Sequence, residues 1–270
     1  MSFDTRERSI QDGRPVELYT FARGASVWRY TSGDRDVVLL GNTYAARAIR
    51  RSDIESTNEK ARLGIRITAP RSLEVADLYR VSPPSQAVTL VLQQYHEGDG
   101  EVATLWTGRI LAVSFPGLQA EIACEPLYTS IRRIGLRRLY QRQCPHVLYG
   151  PACRVQREAF RVDGTVGAVA GQVVTVAAAS AYAAQHFAGG YLQFLVAAGV
   201  PERRFILEHS GAAITLSSGA SDIPVGAAVS LFPGCDHSAA TCAAKFSNAA
   251  NYGGFPYMPT KNPFGGDPIY

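Results

Sequence analysis

Four cysteines in two distant pairs constrain this chain more than any other feature. Eight residues separate Cys144 from Cys153, and six separate Cys235 from Cys242. About eighty residues lie between the pairs. If the pairs meet, four thiolates converge on one point, and four soft thiolates select zinc or an iron–sulfur cluster. Structural zinc favours tight knuckles, with roughly two to four residues between ligands. The loops here are wider and favour a bulkier group, a 4Fe-4S cluster, over zinc. Two disulfides, or buried thiols without a ligand, are the plain alternatives. His146 and His237 each lie two residues after a cysteine. Either could replace a thiolate in a mixed Cys/His zinc site, or donate a hydrogen bond beside the ligands. Cys124 is left over in the strand-like stretch 118–124 and reads as a small buried apolar side chain.

The compartment bears on the choice. The N-terminal stretch Met1 to Arg8 is polar and charged, without the apolar segment of a signal peptide. No apolar run reaches the roughly 18–20 residues of a membrane helix. Residues 166–184 come closest, but Gly171, Gln172, Thr175 and Ser180 interrupt them. Synthesis in a reducing cytoplasm is therefore expected, which counts against disulfides. The 270 residues allow one large or two ordinary domains, and 46% hydrophobic content supports a real core. A net charge of +4 is too mild to point to sequence-specific nucleic-acid binding.

The hydrophobic pattern predicts a mainly β protein with a few short helices. Strands are predicted over 16–21 and 26–31, with a hairpin about Gly41-Asn42. Leu63, Ile65 and Ile67 alternate with polar or small residues, the period of a half-buried strand. A short helix is predicted over 73–79, a hairpin over 87–115, and a strand ending at Cys124. This first part, residues 1–130, reads as a β-rich, barrel-like domain with one helix. Residues 131–270 read as a second β domain stapled by the four cysteines, with strands at 158–162, 165–169, 172–178, 191–196, 203–208, 212–216 and 227–232. Asp163-Gly164 reads as a turn, and 238–246 as a short helical stretch carrying Cys242. The tail from 248 to 270 is rich in Gly, Pro, Asn and aromatics and is predicted to lie extended over a surface.

Arg132, Arg133, Arg137, Arg138 and Arg142 fall in eleven residues just before Cys144. Their spacing predicts a short basic amphipathic helix or turn within 130–149. A solvated charged face explains it simply. A sharper reading is that these arginines offset the negative charge of a tetrathiolate cluster. Sequence motifs for enzymes are missing: there is no P-loop, no Gly-x-Ser-x-Gly elbow and no His-Glu-x-x-His. A Cys–His hydrolase would need Cys124 joined to His96, His186 or His209, and nothing in the sequence links them. Catalytic residues are therefore not assigned. Four ligands would saturate a cluster, leaving it an electron carrier or a structural staple.

Two segments carry a family resemblance. One runs from Gly135 through Arg142-Gln143-Cys144-Pro145-His146 to Gly150. The other runs from Cys242 through Phe246-Ser247-Asn248 and Tyr252-Gly253-Gly254-Phe255 to Pro259, with Asn262-Pro263 after it. Both resemble the tail-tip, or baseplate hub, proteins of long-tailed (siphovirus-type) phages and gene transfer agents. The cysteine spacing is similar to that of the iron–sulfur tail-tip proteins of lambda-like phages. The resemblance implies a 4Fe-4S cluster on Cys144, Cys153, Cys235 and Cys242. It implies a virion component at the distal tail tip: a homotrimeric ring meeting the distal tail protein, the tape-measure protein and the central fibre or tip attachment protein. It implies residues 1–130 as the ring-forming hub domain; the missing catalytic motifs lead to the expectation that the chain is no enzyme. An iron–sulfur redox protein and a zinc-stapled tail adaptor or hydrolase are the competing readings.

Overall fold

The computed structural model describes residues 3–11, 13–55, 64–97, 100–132, 135, 139–196 and 199–259. The chain forms two compact units, residues 1–133 and 134–270. Mainly β structure is what the alternating pattern produces, and the described helices are short. None of them is long and apolar enough to cross a membrane.

The first unit opens with α1 (Phe3–Glu7) and continues through β1 (Pro15–Arg23), β2 (Ser26–Thr31), β3 (Val37–Leu39), β4 (Asn42–Ala46), β5 (Arg50–Arg51) and β6 (Ile65–Pro70). It then runs through α2 (Glu74–Asp77), β7 (Thr89–His96), β8 (Val102–Ser114) and β9 (Gln119–Pro126). These strands make one nine-stranded sheet in the order β3-β4-β2-β1-β7-β8-β9-β6-β5. The pairing is antiparallel except for β2 with β4. Period-two alternation sets its buried face. Ile65, Ile67 and Ala69 of β6 are buried, with Arg66 exposed between them, opposite Ala120, Ile122 and Cys124 of β9. Val75 and Ala76 of α2 join the same core. Cys124 thus belongs to that core. Burial pushes its thiol up to about 12, so it stays a neutral, inert thiol.

The second unit contains β10 (Val162–Ala170), β11 (Val173–Val176), β12 (Tyr191–Leu195), β13 (Pro201–Ser210), β14 (Ala213–Leu216), β15 (Ala228–Phe232) and α3 (Ala239–Ala244). Its six strands close into a barrel in the order β10-β11-β14-β13-β12-β15. The expectation of a barrel in the first part is thereby corrected. The first unit's sheet is open and ends on β3 and β5, strands of three and two residues, which is too little edge to zip a sheet shut. In the second unit two long strands turn corners. β10 pairs with β15 through its first half and with β11 through its second. β13 divides likewise between β12 and β14. Register shifts fall at Val166/Ala168 and Ile206/Glu208, where the bend is made. The interior is filled by Val174, Val176, Leu192, Ile206, Ile214, Leu216 and Leu231, all fully buried.

Local expectations in this half also change. Asp163-Gly164 is inside β10, not a turn, and Gly164 is where a Cβ would press on Val176 and Ala178. Residues 157–160 form a 3-10 turn instead of a strand, and β11 gives way to a 3-10 segment at 177–181. The basic helix before Cys144 is not formed over 139–149. A 3-10 turn occupies Leu127–Arg132. Arg133, Arg137 and Arg138 lie outside the described residues, and Arg142 is exposed.

Candidate metal centre

The site is built where the barrel's last strand ends. β15 stops at Phe232, and Pro233-Gly234 delivers Cys235. The backbone there is held by a close crossing: a Cβ on Gly234 would fall on Ala188 O and the Gly189 and Gly190 backbone, and one on Gly190 would fall on Phe232 O. Only glycine fits on either side. Ser238 caps α3, accepting from Thr241 N at 3.1 Å, and the helix carries Cys242 inward. The Cys144 N–H donates to His237 O at 2.9 Å, joining the first loop to the second. Tyr149 closes the first loop over the barrel end. Its ring meets Tyr191, Phe232 and Phe246, and its hydroxyl donates to Pro233 O at 2.7 Å.

The tail completes the enclosure as far as residue 259. Asn248 donates its side-chain amide to Cys153 O at 2.6 Å, and its own carbonyl accepts the Cys242 thiol at 3.3 Å. Tyr252 donates to Arg142 O, and the Phe255 N–H to Gln141 O. A Cβ on Gly253 would meet the His146 ring at 2.5 Å. The tail is therefore the far wall of the Cys144 loop. Neither Asn248 nor Gly234 stands out in the sequence as a site residue. Their signals were a glycine just before the second pair and an asparagine six residues after it.

All four cysteines line one small pocket, together with His146, Val155, His237, Phe246, Asn248 and Asn251. All five cysteines are free thiols. Three of the four sulfurs accept N–H hydrogen bonds: Cys235 from His237 N at 3.3 Å, Cys144 from Gly253 N at 3.4 Å, and Cys153 from the Asn248 amide at 3.8 Å. Such donors stabilise thiolates and set the potentials of iron–sulfur clusters. Burial, followed by the charges of the neighbouring sulfurs, raises the Cys242 thiol; burial likewise raises Cys235, against the His237 N–H. A metal bound among them would displace the thiol protons. Among the described residues no three His, Cys, Asp or Glu side chains converge tightly enough to hold a single ion. By its chemistry and its N–H···S bonds the set of four cysteines is of the kind that holds zinc or an iron–sulfur cluster.

The backbone is strained in the same place. Non-glycine residues with positive φ are Leu40, Tyr149, Arg154, Gln185, His237 and Ser247 among the described residues, and four of these flank the cysteines. Each costs of order 1–3 kcal/mol and marks a conformation imposed from outside the residue.

His186, on the outer side of the Cys235 loop, is drawn down to about 4, first by burial, then by the Lys245 ammonium and His209. Unfolded histidine binds its proton near pH 6.5. Between about 6.5 and 4 the unfolded chain therefore holds more protons, and stability falls as pH falls. The second unit is expected to lose melting temperature from pH 7 to pH 4 more steeply than His186→Phe does. Parallel slopes in differential scanning calorimetry would refute it.

Fold and site together define a structural β protein with a cysteine-lined cavity at a barrel end. Residues 17–156 match the family model described as "Baseplate hub protein, N-terminal attachment domain". That is just over half of the sequence, and the chain belongs to this family of phage baseplate hub proteins, components of the virion tail. Residues 185–262 match the model described as "Phage conserved hypothetical protein BR0599". One cysteine pair falls in each match. An uncharacterized protein of Xylella fastidiosa (strain 9a5c) is 32% identical over 184 residues, 62% of this chain. The chain spans 38% of that relative's length. A chain of the virion of the native gene transfer agent particle shares the fold, with a TM-score of 0.76 at 20% identity, over 96% of this chain and 93% of the other.

Proposed function

We propose that this baseplate hub protein carries a 4Fe-4S cluster on Cys144, Cys153, Cys235 and Cys242, and that the cluster is a structural staple. The observation behind this is the meeting of two distant cysteine pairs around one cavity whose sulfurs accept N–H bonds. The cluster would supply the cross-link that joins two segments with little core of their own. Gly253 N, His237 N and Asn248 would hold the sulfurs as thiolates; Tyr149 and the tail would exclude water.

In this reading the first unit builds the ring, a homotrimer at the tail tip of a long-tailed, siphovirus-type particle. It would sit between the distal tail protein and the central fibre or tip attachment protein, with the tape-measure protein in its lumen. The cysteine spacing, similar to that of tail-tip protein L of phage lambda, supports the comparison. Anaerobically purified protein is expected to contain iron and acid-labile sulfide at about four each per chain. It is expected to sediment as a trimer. Zinc without sulfide would refute the cluster, and a monomer at assembly concentrations would refute the ring.

A further inference from the structure

The walls of the cysteine pocket differ in how firmly they are tied. The Cys235 wall is locked by the backbone crossing of Gly234 with residues 188–190. The α3 wall is capped by Ser238, and the Lys245 ammonium just past it donates to His186 O and Gly234 O. The Cys153 wall packs on Val155 and Phe246 and takes the Asn248 amide on its carbonyl. The remaining wall is a strap, residues 252–255, which crosses the Cys144 loop outside any strand or helix.

The strap is held by single contacts along its length. The Tyr252 hydroxyl donates to Arg142 O, the Gly253 N–H to Cys144 Sγ at 3.4 Å, and the Phe255 N–H to Gln141 O at 2.9 Å. The Phe255 ring lies on Tyr140 with centroids 4.0 Å apart, and both rings are exposed. Two glycines let the strap lie flush: a Cβ on Gly253 would meet the His146 ring, and one on Gly254 the Arg142 carbonyl. Cys153 and Cys242 are buried, whereas Cys144, which the strap covers, is half-buried. A metal group reaches an enclosed pocket only when a wall opens. Segments with little buried apolar contact and solvent-exposed backbone bonds open at the lowest cost.

We infer that residues 252–255 are the gate of this pocket: the strap lifts off the Cys144 loop on its own, admits the metal group and shuts over it. This rests on the cluster reading above. The strap then sets how fast metal enters and leaves, while the other walls decide how tightly it is held.

The test is release of iron to an excess of iron chelator from anaerobically reconstituted wild type, Phe255→Ala, Gly254→Ala and Tyr257→Ala, with amide exchange on the loaded wild type. Phe255→Ala and Gly254→Ala are expected to load full iron and sulfide and to release iron about tenfold faster, because the chelator reads the open fraction. Tyr257, just beyond the strap, has its side chain in solvent, and Tyr257→Ala is expected to stay within about twofold of wild type. In the loaded wild type the Gly253 and Phe255 N–H groups are expected to exchange at least about tenfold faster than the Cys242 N–H, which donates to Ser238 O at the start of α3. Release within about twofold of wild type in either strap variant overturns the inference, and a larger rise in both supports it. Exchange of Gly253 and Phe255 at the rate of Cys242 overturns it, since the site would then open only as a whole. So does a rise in Tyr257→Ala as large as in Phe255→Ala. Failure of both strap variants to load iron makes the strap part of the site's folding and also overturns it. Wild-type protein without iron and sulfide overturns the cluster reading itself, and this inference with it.

Discussion

Serine at any one of Cys144, Cys153, Cys235 or Cys242 is expected to abolish iron binding and to open the loops around the site, while leaving both sheets folded. Amide exchange should rise about a hundredfold or more over 141–160 and 233–258, the change that follows from roughly 3 kcal/mol of lost local stability. The reason is how little else holds these segments. Their buried apolar cluster is Cys153, Val155 and Phe246, with Leu148, Tyr149 and Phe160 partly buried against it. Four of their residues occupy left-handed backbone that resists them. The barrel between the segments has its own closed core, so the expected loss is confined to the loops and does not extend to everything after about residue 130. Cys124→Ser is the control. It puts a hydroxyl into the first unit's core and lowers that unit's stability, with metal content unchanged. Uniform exchange across both units, or metal loss in Cys124→Ser as complete as in Cys144→Ser, would defeat the assignment.

Gly234→Ala is expected to be the most damaging single methyl in the second unit. The new Cβ would occupy the place of Ala188 O, and backbone cannot swing aside as a side chain can. Overpacking of this kind costs about 3 kcal/mol, or roughly 10 °C in the melting temperature of a unit this size. It also moves Cys235, so iron content falls with stability. Gly211→Ala separates space from conformation. Gly211 has φ +58° but nothing within 4 Å of an added methyl, so only the left-handed backbone is penalised, at about 1 kcal/mol. Equal melting temperatures for the two variants, measured by calorimetry, would show that the close crossing does not hold the site.

Some of the site could be read from residue types and spacing, because those depend on local chemistry. Cys144, Cys153, Cys235 and Cys242 stand out as a set of soft donors in wide loops. Cys124 stands apart because its neighbours alternate like a strand. The residues that finish the site could not be read this way. Asn248 has an ordinary local context, and its contact with Cys153 exists only once that residue is brought beside it. The basic run before Cys144 lies largely outside the described residues, and Arg142 within it is exposed.

The fold divides in the same way. Alternation by itself determined which stretches become strands and which side chains they bury, as with Ile65, Ile67 and Ile122, because the pleat has a period of two wherever a strand forms. Which half closes was decided only in three dimensions. Closure depends on whether the first and last strands have enough edge to pair, and on where long strands bend. β3 and β5 are too short, whereas β10 and β13 each bend to serve two partners. Which partners a long strand serves is settled by packing between segments distant in the chain, beyond what local alternation encodes.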